Sequence, residues 1–190
     1  MPSPTPNSIR RVSRGLAASR GGATAVEFAI ICLPFLVLLF SILELGMIFM
    51  ASTTIESASV AAARQIRIGQ LQAGGANNAA GFKNLICGGM SWISASDCQA
   101  NLSVDVRTFT SFAAINVTPP IANNAIDQSQ LAFNSGGPCQ IVLVRVFYPW
   151  TLITPVLEPG LPDLGPNQHL LTTAIAFRNE NFQGDGSTCA

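Results

Sequence analysis

Between Ala25 and Ala51 the chain carries only two charged residues, Glu27 and Glu44, in a run made mostly of Val, Phe, Ile, Leu, Met and small side chains. At a helical rise of about 1.5 Å per residue such a run reaches roughly 40 Å, enough for a tilted membrane span. It explains a composition with 48% hydrophobic and 11% charged residues, too apolar for an ordinary soluble protein. Arg10, Arg11, Arg14 and Arg20 precede the run, and no acidic residue comes before Glu27. The positive-inside tendency then sets the N-terminus in the cytoplasm and sends the remainder, Ser52 to Ala190, across the membrane as one small domain.

The small residues that a secretory signal places after its apolar stretch stand here before it. Gly21, Gly22 and Ala23 separate the arginines from the apolar run, so a cut between Gly22 and Ala23 removes the basic leader and keeps the hydrophobic segment. Ala23 becomes the first mature residue and Glu27 the fifth. Glycine at the cut suits a peptidase that takes the backbone in extended form. A carboxylate near a bilayer core costs about 2.5–3.5 kcal/mol and persists with a partner. The cut supplies one, because the new α-amino group of Ala23 is cationic near neutral pH and Glu27 of a parallel neighbour can face it. Glu44, about 25 Å further along a helix, is too far to share that partner. It is expected near the outer interface, solvated there or touching a neighbouring helix.

The string Arg20-Gly21-Gly22-Ala23-Thr24-Ala25-Val26-Glu27-Phe28-Ala29, with Leu33-Pro34 and Glu44-Leu45-Gly46 after it, resembles the opening of TadE-like proteins of tight-adherence (Flp, type IVb) pilus systems. Val144-Arg145-Val146-Phe147-Tyr148-Pro149-Trp150 and Thr173-Ala174-Ile175-Ala176-Phe177-Arg178-Asn179-Glu180-Asn181-Phe182 resemble the closing strands of that family, with Asn181 where proline is usual. The resemblance implies a prepilin peptidase acting at Gly22 and Ala23, and Glu27 with Phe28 as assembly and recognition residues. It also implies a bacterial inner-membrane location with a periplasmic C-terminal domain, and partners among other pilins, pseudopilins and the pilus machinery. The pilus itself is a second location. An Ala at the first mature position, where general type IV pilins have Phe, favours the tight-adherence branch.

Within the exported part, Cys87, Cys98, Cys139 and Cys189 form an even set, and Cys32 lies inside the apolar run. An oxidising compartment then gives two disulfides. Cys87 with Cys98 closes a short turn-rich loop, and Cys139 with Cys189 joins the start of one strand to the tail beyond another. Helix-compatible residues run from Ser52 to the turn signal Ala73-Gly74-Gly75. Strand character is found in Leu102–Arg107, Gln140–Tyr148 and Leu170–Arg178, the first with alternating polar positions and the second apolar on both faces. The expected fold is α+β and pilin-like: residues 1–22 a basic leader, 23–51 a transmembrane helix running on into 52–190, a small antiparallel sheet domain. Five prolines from Pro149 to Pro166 exclude a regular helix or central strand and predict a stiff loop, set against the membrane, a partner or the domain's own core.

No constellation for catalysis, a cofactor or a small-molecule substrate is present in the sequence. His169 has no neighbouring ligand type, no C-x-x-C pair supports zinc, and no phosphate-loop string occurs. With four arginines in the leader, six Lys or Arg remain against ten Asp or Glu, which gives no basic footprint for nucleic acid. A minor pilin or pseudopilin is the expected function. The alternative is an unprocessed bitopic membrane protein whose periplasmic domain binds another envelope component.

Overall fold

The computed structural model describes residues 20–190 except 76, 155–159, 162, 166, 183–188 and 190. Helix α1, Arg20–Arg67, is its longest element. Leu, Ile, Phe, Met and Ala favour or tolerate a helix, and in an apolar medium a helix satisfies its own backbone. Pro34 lies inside it and removes the bond that its N–H would make to Ile30. Ser41, Thr53, Thr54 and Ser57 turn their hydroxyls back to carbonyls one turn earlier, which keeps these polar groups satisfied on the helix itself.

The chain divides into two units, Met1–Leu43 and Glu44–Ala190. In the first, the described residues are all on α1, and their apolar side chains face outward, Phe28, Ile31 and Leu33 among them. The second unit begins earlier than Ser52. From Glu44 onward one stripe of α1, with Ile48, Ala51, Ile55, Ala58, Ala62 and Ile66, is buried at the three- and four-residue spacing of a helix face. The alanines let neighbours come close: a Cβ on Gly89 would stand 3.1 Å from that of Ala58.

Beyond α1 come α2 (Gln70–Ala73), α3 (Ala79–Gly88) and α4 (Ala95–Asn101), then strand β1 (Ser103–Phe109), the hairpin β2 (Ile121–Ala122) and β3 (Ala125–Ile126), and strands β4 (Ile141–Thr151) and β5 (Gln168–Arg178). The main sheet has the antiparallel order β1-β4-β5, with Asp105 opposite Arg145 and Val144 opposite Ile175. This is the expected α+β arrangement, with the strand that is apolar on both faces in the centre. Val104, Val106, Val142, Val144, Val146 and Tyr148 face the core that includes the α1 stripe. On the opposite face Phe147, Leu164 and Leu170 form a second cluster with Ile126 and Leu131.

Two expectations are corrected. The long helix stops at Arg67 and not at Ala73, because Gly69 turns left-handed at φ 78° before α2 starts. Strand β4 runs through Pro149 to Thr151, and Pro149 pairs with Leu170. Pairing with β1 ends at Ser103 opposite Phe147, so Pro149 lies where β4 has lost that neighbour, a position that accepts proline. In β1 the polar positions are buried too: Ser103 and Asp105 are buried with Val104 and Val106, since loop residues cover the second face.

Candidate functional site

Helix α1 sets the positions of the residues at its N-terminal end. Gly22 and Ala23 are already helical, so the bond expected to be cut lies in a helix and must unwind to be cleaved. Glycine costs about 1 kcal/mol relative to alanine inside a helix, and Gly21-Gly22 therefore marks the easiest place to open it. Glu27 stands four residues beyond Ala23, on the same helix face, and its side chain is exposed. Phe28 is 70% exposed. The segment thus offers one carboxylate and a set of outward apolar side chains.

Glu44 contrasts with Glu27. It is 1% exposed, and its carboxylate accepts main-chain N–H bonds from Ile153 and from Thr154, the latter at 2.7 Å. The expectation of a solvated Glu44 or a contact with a neighbouring helix is overturned. Two backbone donors at the end of β4, freed by the break in the strand, supply its partners. The proline-rich loop is divided accordingly. Leu152 and Leu164 are buried and Leu161 packs on the core, whereas Ile153 is exposed; Val156, Leu157 and four of the five prolines lie outside the described residues.

At the other end of α1 the tail after β5 forms a clasp. Asn179 Nδ2 donates to the carbonyls of Ser135 and Gly137, at 3.0 and 2.9 Å. The main-chain N–H of Glu180 donates to Arg67 O at 2.9 Å, and Phe182 lies over Gly69. The Arg-Asn-Glu-Asn-Phe string therefore has a physical role, which is to hold the helix terminus and the 135–137 turn together. Disulfides join Cys87 to Cys98 and Cys139 to Cys189. The first ties α3 to α4, and the second fixes the tail close to the start of β4.

Sequence reasoning missed the cluster around Asp105. Its carboxylate accepts from Arg145 Nε and Nη2 at 3.0 and 2.7 Å, from Arg107 Nε, and from the Ala132 N–H at 2.7 Å. Arg145 Nη1 donates to Thr118 O at 2.6 Å, and Arg107 also donates to Gln130 O. A cleft of about 310 Å³ beside it is lined by Arg107, Asn116, Pro119 and Arg145. Because the guanidinium groups are turned to Asp105 and to loop carbonyls, the cluster is a clasp that pins the 116–132 segment to the sheet. The signal was an Asp in alternation with valines, opposite an Arg in an otherwise apolar strand. His169, which has no neighbouring ligand type in the sequence, is half-buried with Nδ1 2.7 Å from Asp163 and 2.9 Å from Leu161 O. It fastens the loop to β5. Among the described residues no group of three or more His, Cys, Asp or Glu is placed to hold a metal.

Among the described residues one helix, Gly22–Arg67, is long and apolar enough to cross a membrane. With a small antiparallel sheet domain on its C-terminal half, it defines a membrane-anchored single-pass α+β protein. Residues 22–64 match the family model described as TadE-like protein. The match lies on the helix that carries Ala23, Glu27 and Glu44. No curated protein and no solved structure matches the chain.

Proposed function

We propose that the chain is a minor pilin or pseudopilin acting in assembly of a tight-adherence pilus for surface attachment. The observation that carries the reading is where the family match begins: at residue 22, the glycine before the expected cut, leaving the basic leader outside it. In this reading a prepilin peptidase opens the helix at Gly21-Gly22 and cleaves before Ala23. The N-terminus lies in the cytoplasm and the disulfide-bonded domain in the periplasm, and the mature protein joins other pilins and the pilus machinery. It is not an enzyme.

The chemistry of assembly is electrostatic and apolar. Outward-facing Phe28, Ile31 and Leu33 offer packing surface to parallel helices. Glu27 of one subunit faces the amino terminus of the next, and the pair offsets part of the cost of about 2.5–3.5 kcal/mol for a lone charge in lipid. Before cleavage that amine does not exist, so Glu27 serves only as a recognition feature for the peptidase. Glu27→Gln keeps shape and hydrogen bonding and removes the charge. The expected result is a membrane blot with a clear mature band together with a loss of pili; normal piliation without the charge would refute the pairing.

A further inference from the structure

Along β1, Asp105, Arg107 and Phe109 share one face, and Arg145 stands opposite Asp105 on β4. Two guanidinium groups therefore rest on one carboxylate. The side chains of Asp105 and Arg145 are 0% and 7% exposed, whereas that of Arg107 is 40% exposed. Among the described residues no second carboxylate pairs with either arginine. Asp127, the acid between the lining residues Pro120 and Gln130, accepts instead from Ser129 and from the Gln130 side chain. The cluster thus keeps one surplus positive charge, and it borders the cleft of about 310 Å³. A guanidinium carries five N–H donors. Arg107 turns Nε to Asp105 and Nη2 to Gln130 O, which leaves Nη1 without a partner among the described residues. The main-chain carbonyls of Asn116, Thr118 and Gln130 already accept from the two arginines.

We propose that this cleft is a binding site for a monocarboxylate carried on an apolar residue. The carboxylate accepts from Arg107 and supplies the second negative charge that two arginines on one aspartate call for. A guanidinium suits that group because its N–H donors are arranged as a fork that matches the two carboxylate oxygens. One surplus charge matches one negative charge. Phe109, Pro119 and Pro120 line the same cleft and give an apolar side chain a surface to lie on. The volume stands at the low end of the range of about 300–1,000 Å³ for ligand pockets, so it admits a single residue with its carboxylate. Arg145 is fixed by Asp105 and by the loop carbonyls and holds the floor, while Arg107 makes the contact. The site lies wholly within the second unit and is independent of the pilus reading.

The test is an NMR titration of the full chain in detergent, at constant ionic strength, with three probes: N-acetyl-phenylalanine, its uncharged C-terminal amide, and inorganic phosphate. The side-chain Nε–H signal of Arg107 and the backbone amides of Phe109 and Thr118 are expected to shift saturably with the acid. Its Kd should be at least about tenfold lower than that of the amide, which has the same ring and the same affinity for detergent but no charge. Arg107→Gln leaves the Asp105–Arg145 pair in place and is expected to weaken the acid at least about tenfold, while the β4 and β5 amides keep their positions. Arg107→Lys keeps the charge without the fork and should fall between. Acid and amide binding alike, or an acid that leaves the Arg107 signal unmoved, would overturn the proposal on the parent chain alone, whatever the variants do. A folded Arg107→Gln chain that binds the acid like the parent would overturn it too, and tighter binding of phosphate than of the acid would overturn the assignment to a carboxylate.

Discussion

Arg67 and Glu180 lie 3.3 Å apart at the end of α1, and the same two residues are joined by a main-chain hydrogen bond. Both side chains are 54% exposed, so the ion pair itself is worth no more than about 1 kcal/mol. The backbone bond, and the ring of Phe182 against Gly69, hold the terminus. Gly69 is at φ 78°, and a Cβ there would meet Phe182 Cγ at 2.4 Å. Gly69→Ala is therefore expected to cost more than the roughly 1–2 kcal/mol of the left-handed backbone alone, and Glu180→Gln no more than about 1 kcal/mol. Thermal unfolding in detergent checks the order; the reverse order would mean that the charge pair dominates.

Glu44 predicts a local effect. Glu44→Ala leaves the N–H groups of Ile153 and Thr154 without their acceptor, at about 1–3 kcal/mol for each donor that stays buried. Glu44→Gln keeps one acceptor oxygen and is expected to fall between. Hydrogen exchange at these two amides should accelerate in the order Gln, then Ala, while amides of β1 stay protected. Equal protection in all three chains would contradict the assignment.

Asp105 holds two guanidinium groups and a backbone N–H from a fully buried position. Removing its charge leaves Arg145 buried without a counter-ion, and Asp105→Asn is expected to destabilise by about 3–5 kcal/mol. Replacing the pair together, Asp105→Leu with Arg145→Met, should recover a substantial part of that loss. Urea unfolding of the parent, Asp105→Leu, Arg145→Met and the double variant measures the coupling. Additive losses would show that the two residues act separately.

The N-terminal helix was legible because a run with only two charges leaves a membrane span as its simplest use, and the strands because valine-rich segments flank turn signals. Other features depended on distance. Glu44 finds its partners 109 and 110 residues away, at a strand end whose continuation through Pro149 the prolines concealed. Helices α3 and α4 lie in a stretch rich in Gly, Ser and Asn that reads as turns, yet Asn78 and Ser94 are their N-caps, accepting from the N–H groups of Gly81 and Asp97. Asp105 read only as a polar position of an alternating strand, because what covers it is a loop with no periodicity of its own. In the N-terminal segment the sequence pattern carries nearly all of the information, since its residues stand on one exposed helix.

Tyr148 gives a pH dependence. Burial first, and then the negative charge of Asp97, push its phenol above the ordinary value of 10.0. A phenol is neutral when protonated, so the folded state keeps its proton to higher pH than the unfolded state does. The resulting stability is fully present below the unfolded value and is lost as pH rises through the folded one. Unfolding followed from pH 8 upward should show a decline above about 10 that Tyr148→Phe reduces. An unchanged decline in the variant would assign it to other groups.

The central claim is that a leader is removed before Ala23 and the retained helix then enters a pilus assembly. N-terminal sequencing of the protein from washed membranes and from sheared pili tests it most directly, with a Gly22 substitution as the control. The account predicts that the chain starts at Ala23 in both fractions, and that the Gly22 variant accumulates as an uncut membrane precursor absent from pili. An intact arginine-containing leader on the parent chain in membranes would contradict it and point to an unprocessed bitopic protein.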